Sequence, residues 1–200
     1  MKFVNQKDYP EIPYITRQLC DKEEDREKGK TTTISSSGCG LCSAVMVADR
    51  LIPNCEFGVQ DAVDLSYECK ANIKIGTTYT RFAPAFAEKL GLDYEMSNDP
   101  ERLRYCLRTG GAAVLHIKGA NRGDYVGVFS SGGHYVAAVS EERDGRIAIL
   151  DPSYKEGKYE TEGRKGKVEM KHGVVALCDM QVVVEDTEPA EYSFYLFWRK

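Results

Sequence analysis

Two hundred residues, 42% hydrophobic and 10% aromatic, suit one ordinary globular domain and exclude disorder as a description of the whole chain. At this length about 70% of the unfolded surface can be buried, so no disulfide staples are needed. A net charge of −4, from 27 basic and 31 acidic residues, argues against a general nucleic-acid or anionic-membrane binder.

The first eight residues, Met1 to Asp8, lack the apolar centre of a signal peptide, and no run approaches the ~20 apolar residues that span a bilayer. A cytoplasmic location is therefore expected. Residues 1 to 38 are turn-rich, and the charge run Asp21–Lys30 reads as a solvated loop. After the Ser/Thr-Gly stretch 31–40, apolar periodicity predicts a helix from about Cys39 to Ile52, stopped by Pro53. Helical patterning returns at Val59–Ala71 and at Arg81–Leu90, the second ending at Gly91. Asp99-Pro100-Glu101 is an N-terminal signature for a helix running to Arg108.

Then the pattern changes. Ala112–Ile117 and His134–Val139 are short, apolar and β-branched, and Arg146–Leu150 returns after Asp144-Gly145 as a hairpin partner. Val174–Leu177, Gln181–Val184 and Tyr192–Trp198 read as further strands. Helices first and an antiparallel sheet afterwards predict an α+β fold, and without a linker or repeat the expectation is one domain over residues 1–200.

Seven cysteines are an odd number in a chain too long to need them, so mostly reduced thiols are expected. Cys39 stands out among them. Flanked by Gly38 and Gly40 at a helix start, its thiol faces free backbone N–H groups and the positive end of the helix dipole, which favour thiolate. A lone cysteine is ordinarily a small buried hydrophobe; the glycine setting favours a nucleophile instead.

His134 follows Gly132-Gly133 at a strand start. Asp151 lies 17 residues on, at the end of the returning strand, where a hairpin brings it back beside His134. The ordinary alternative makes His134 a satisfied polar residue and Asp151 a turn former before Pro152. His116 and His172 lack this arrangement, and His116 reads as part of a packed face. Arg122-Gly123-Asp124 reads as a turn, within a loop 119–133 placed to gate a cleft.

Cys39-Gly40-Leu41-Cys42 is also a C-x-x-C, which suits a dithiol redox centre or half a zinc site. No second closely spaced ligand pair completes zinc, and the polar run 31–37 is not the buried strand that a thioredoxin-type motif follows. No metal and no cofactor are expected.

The order Cys, His, Asp resembles the papain-like cysteine peptidases. More finely, the chain resembles the bacteriocin-processing (double-glycine) peptidase family and its stand-alone relatives. The shared elements are Gln6-Lys7-Asp8-Tyr9, Ser36-Ser37-Gly38-Cys39-Gly40, Gly133-His134-Tyr135-Val136 and Asp151-Pro152. That resemblance implies a papain-like fold with an N-terminal helical part packed on a C-terminal antiparallel sheet. It implies Cys39 as nucleophile, His134 as general base and then acid, Asp151 as orienter, and Gln6 with the Cys39 N–H as oxyanion hole. Gln18 is the reserve candidate for that last role. Leu41-Cys42 replaces the family's Pro-Thr, and the transporter-fused members' other domains have no counterpart, so their leader substrate does not carry over. The implied partner is a peptide or amide substrate. An acyl- or aminoacyl-transferase on the same fold, a non-catalytic peptide-binding module and the dithiol are the alternatives.

Overall fold

The structure is a computed structural model that describes residues 2–16, 31–72, 76–119, 125–187 and 190–200. A short 3-10 turn, Gln6–Asp8, precedes a two-stranded ribbon of β1 (Pro13–Ile15) and β2 (Thr31–Thr33). Next come α1 (Ile34–Ser37), α2 (Cys39–Leu51), α3 (Val59–Glu68) and α4 (Tyr79–Leu90). Then follow β3 (Leu92–Ser97), α5 (Pro100–Arg108), β4 (Ala112–Ile117), β5 (His134–Glu141) and β6 (Ile147–Leu150). The chain ends with β7 (Glu169–Lys171), β8 (Val175–Cys178), α6 (Met180–Thr187) and β9 (Phe194–Arg199).

Among the described residues seven strands form one antiparallel sheet in the order β3-β9-β4-β5-β6-β8-β7. The expected α+β architecture, helices packed on a large antiparallel sheet, is what forms. The central strands are apolar on both faces because both are covered. On β4 and β5 the residues Ala112, Val114, Tyr135, Ala137 and Val139 meet α2, α3 and α4. Their alternates Ala113, Leu115, Ile117, Val136 and Ala138 meet α5 and α6. Helix α2 is buried almost all round, as expected of a helix enclosed between sheet and neighbouring helices.

One predicted strand is corrected. Gln181–Val184 lies inside α6, not in a strand. Three consecutive valines favour β structure locally, but Met180, Val182, Val183, Asp186 and Thr187 are the buried residues, a spacing only a helix satisfies. The helix predicted over Val59–Ala71 ends at Glu68, where Lys70 turns to a φ of 55°. The stretch 31–40 is ordered as β2 and α1, and β3 and β7 add outer strands to the sheet.

Candidate active site

Cys39 is the first residue of α2, and the glycines on either side of it sit where the packing leaves no room for a Cβ. Gly38 closes α1 with its N–H donating to the Ile34 carbonyl at 2.8 Å, and a Cβ at Gly38 would fall 2.7 Å from Ile34 Cγ2. Gly40 backs onto aromatic rings: a Cβ there would be 2.9 Å from Tyr79 Cε2 and 3.2 Å from Tyr135 Cδ2. The Tyr79 hydroxyl donates to the Gly40 carbonyl at 2.6 Å. Two further bonds fix α2 along β5: Ser43 Oγ donates to the Tyr135 carbonyl at 3.2 Å and Arg50 Nε to the Val139 carbonyl at 3.0 Å. Helix and strand therefore share a register that sets Cys39 against the start of β5.

His134 opens β5 and is buried. Its Nε2 lies 2.8 Å from Asp151 Oδ1, which leaves Nδ1 for the Cys39 thiol. The hairpin explains the approach: Ala137 pairs with Leu150, so alternation puts His134 and Asp151 on one face. Asp151 is 1% exposed and saturated with donors. Oδ1 also accepts from Ser153 N at 2.9 Å and Ser153 Oγ at 3.0 Å; Oδ2 accepts from Tyr159 OH at 2.7 Å and from the Lys158 ammonium. Ser153 Oγ is also 3.1 Å from His134 Nε2 and accepts from Lys158 Nζ at 2.8 Å.

The electrostatics follow this geometry. Burial alone would raise the Cys39 thiol; the His134 hydrogen bond and charge, with the Tyr135 and Gly40 backbone N–H groups, outweigh it and hold the thiol below its ordinary value. Burial would lower His134, yet its bonds to Asp151 and Cys39 raise it to about 9. Asp151, also opposed by burial, is held well below the usual carboxylate range by His134 and Lys158. The favoured state is a thiolate–imidazolium pair backed by a carboxylate.

The pair opens onto a cleft of about 470 Å³ whose walls include Thr77, Tyr79, Tyr135 and Tyr195, with Lys118 and Glu191 among the lining residues. A cavity of about 550 Å³ lies at the far end of α2 beside Arg50 and His172 and has no cysteine in its wall.

Cys39, His134 and Asp151 are thus brought together. Gln6 bonds the residues flanking them: its N–H donates to the Pro152 carbonyl at 2.7 Å and its Nε2 to the Ser35 carbonyl at 3.0 Å. Its Oε1 is buried without a partner. Gln18, the run 21–30 and Arg122-Gly123-Asp124 lie outside the described residues. Cys42 is fully buried, and burial pushes its thiol far up, so the C-x-x-C offers one accessible thiolate rather than a dithiol. Among the described residues no cluster of three or more His, Cys, Asp or Glu is arranged to hold a metal ion.

His116 lines the same cleft, which sequence reasoning missed. Its ring stacks on Tyr135 at 4.7 Å between centroids, and burial and the Lys118 charge push its pKa down to about 4. Its place beside His134 follows from strand register, which pairs His116 with Tyr135 and Ile117 with His134. Ser153, Lys158 and Tyr159 were also missed; they follow Asp151-Pro152 in a loop with no recognisable pattern.

The whole chain superposes on a candidate C39-like peptidase from Bacillus anthracis with a TM-score of 0.51 and 12% identity, over 100% of this chain and 98% of that one. At that identity the likeness is one of fold, and the fold is papain-like. No protein-family model matches the chain. No curated protein matches it either.

Proposed function

We propose that the chain is a single papain-like cysteine peptidase domain that hydrolyses a peptide or amide bond and resembles in its motifs the bacteriocin-processing peptidases and their stand-alone relatives. The observation that carries this reading is the Cys39–His134–Asp151 line, with Cys39 and His134 in the wall of the cleft and the buried Asp151 at 2.8 Å from His134 Nε2. The Cys39 thiolate adds to the substrate carbonyl. The oxyanion formed accepts from the Cys39 backbone N–H and from the second Gln6 Nε2–H, the first being donated to the Ser35 carbonyl, donors of a kind worth about 2.7–4 kcal/mol each when well aimed. His134 gives its proton to the departing amine, leaving a thioester. Neutral His134 then takes a proton from water as the hydroxide equivalent attacks, and the thiolate leaves with the carboxylic acid released.

The test is the pH dependence of iodoacetamide alkylation mapped to single cysteines. Cys39 alone is expected to react fast at pH 6, where a free thiol with a pKa of about 8.5 is nearly inert. Reactivity should rise as Cys39 loses its proton and change again as His134 loses its own near pH 9. His134→Ala should remove the advantage at pH 6, and Cys39→Ala should abolish hydrolysis of peptide amides. A Cys39 no more reactive than Cys55 or Cys69 would sink the proposal.

A further inference from the structure

A single buried carboxylate here faces two cations. Asp151 offers Oδ1 to His134 and Oδ2 to Lys158, and Lys158 is itself buried, with its ammonium shared between Asp151 and Ser153. Ser153 joins the two sides, since its hydroxyl touches His134 Nε2, Asp151 Oδ1 and Lys158 Nζ. Tyr159 adds a neutral donor to Oδ2. Facing this group from other elements are the Cys39 thiol on α2, Asp186 on α6, and Arg164, whose Nε donates to the Gly127 carbonyl at 2.9 Å.

Orienting an imidazole needs only one oxygen of Asp151 and no lysine. The second cation has a consequence during turnover. The reaction proposed above requires His134 to be charged, then neutral, then charged again. With His134 as the only cation, each proton it releases would leave Asp151 as an uncompensated buried charge, and the carboxylate would hold the proton on the ring. An ammonium on Oδ2 removes that obstacle; burial lowers the Lys158 pKa, and the Asp151 carboxylate beside it opposes that loss.

We propose that Lys158 is a positioning residue that fixes Asp151 and, by sharing its charge, keeps the His134 imidazolium acidic enough to protonate the leaving amine. This rests on the peptidase reading. It assigns a role to the loop after Asp151, which none of the sequence motifs covers.

The proposal is tested by nitrogen-detected NMR titration of the His134 ring in the full chain carrying Cys39→Ser, so that the thiolate does not contribute. Adding Lys158→Gln is expected to raise the His134 pKa by about one unit, because a neighbouring positive charge is gone. Lys158→Arg, which keeps the charge, is expected to shift it by less than about 0.3 unit. An unchanged or lowered pKa in Lys158→Gln overturns the proposal, since loss of orientation alone would let His134 drift toward its ordinary value. A second reading needs no variant to fold: the Lys158 Nζ signal of the otherwise unchanged chain must remain that of an ammonium throughout the His134 titration. A neutral Lys158 near pH 7 overturns the inference. Because neither measurement uses a substrate or reads the reactivity of the thiol, both succeed or fail apart from the alkylation test of the peptidase reading.

Discussion

The two faces of the sheet are covered by different physics. On the face toward α2, α3 and α4, the core is a continuous apolar cluster including Phe82, Phe86, Phe197 and Tyr79, and its buried polar groups, such as Ser43, Ser66 and Thr77, are neutral. On the face toward α5, α6 and the loop after Asp151, the buried set includes the charged groups Asp151, Lys158 and Asp186 beside His134. The first cover places Cys39 by shape, through Gly40 pressed against aromatic rings. The second sets the proton affinity of His134 by charge. A site that needs both is built where the layers meet, at the N-terminus of α2 and the start of β5.

The charged cover is expected to be the more fragile, and Asp186 tests that first. It sits in the last turn of α6, where the helix dipole disfavours a carboxylate, yet it is fully buried. Its oxygens accept from Val128 N at 2.8 Å, Phe129 N at 2.7 Å and the Tyr125 hydroxyl. The residues it holds belong to the segment that leads into His134. Asp186→Ala strands two buried N–H groups and should cost about 3 kcal/mol or more, at about 1–3 kcal/mol for each unsatisfied group. Urea denaturation gives the cost. Cys39 alkylation at pH 6 should fall in the same variant, because the strand start loses its support.

A pH series separates the two covers by sign. His134 raised to about 9, taken alone, adds stability that is full below pH 6.5 and lost as pH rises through 9. Cys39, lowered from 9.0, does the reverse, adding stability above its folded pKa. Above the folded pKa of Cys39 and below 9, the folded pair holds one proton on the ring, while the unfolded pair holds one on the thiol. In that window the pair contributes almost no slope. His116 has no such partner: with a folded pKa of about 4, it stays neutral while the unfolded histidine takes a proton, so stability falls from pH 6.5 toward 4. Denaturant midpoints are expected to decline as pH falls below 6.5. His116→Phe should remove about 2–3 kcal/mol of that decline. A decline unaltered by the variant would assign it to other groups.

The apolar cover is tested at Gly40. An added Cβ meets the Tyr79 ring at 2.9 Å and Thr77 Cβ at 3.2 Å, and Tyr79 cannot swing away without losing its bond to the Gly40 carbonyl. Gly40→Ala should cost about 1–3 kcal/mol as overpacking and slow Cys39 alkylation by displacing the helix start. Equal stability and reactivity would show that the ring gives way freely.

What the sequence made legible divides along the same line. The helices of the apolar cover announce themselves by periodicity and by Pro53 and Gly91, and the glycines of Gly38-Cys39-Gly40 and Gly133-His134 mark the starts of α2 and β5. The Asp151 hairpin was readable from one turn and a residue count. The charged cover has no period to read: Lys158 reaches Asp151 from an irregular loop, and Asp186 hides in a helix whose valines imitate a strand. Strand β3 was legible and overlooked, since Leu92, Tyr94 and Met96 alternate with Asp93, Glu95 and Ser97. His116 was out of reach for a different reason: only the register of β4 on β5 sets it beside Tyr135, next to the strand start that carries His134.

The smallest expected effect is at Cys42, and it decides whether the second thiol belongs to the chemistry or to the packing. Cys42 is one turn along α2 from Cys39, with its N–H donating to the Gly38 carbonyl at 2.9 Å, and its side chain is wholly inside the apolar cover. Burial and the nearby Cys39 charge both push its thiol upward, so it has no thiolate to offer at neutral pH. Cys42→Ala removes one buried sulfur from a helix already rich in alanine and should cost about 1 kcal/mol, by the loss of contacts around a small void. Cys39 alkylation at pH 6 and its pH profile should be unchanged. A profile that moves with Cys42 would mean that the two sulfurs exchange protons, and the boundary drawn here between a shaping face and a charged one would have to run through α2 itself.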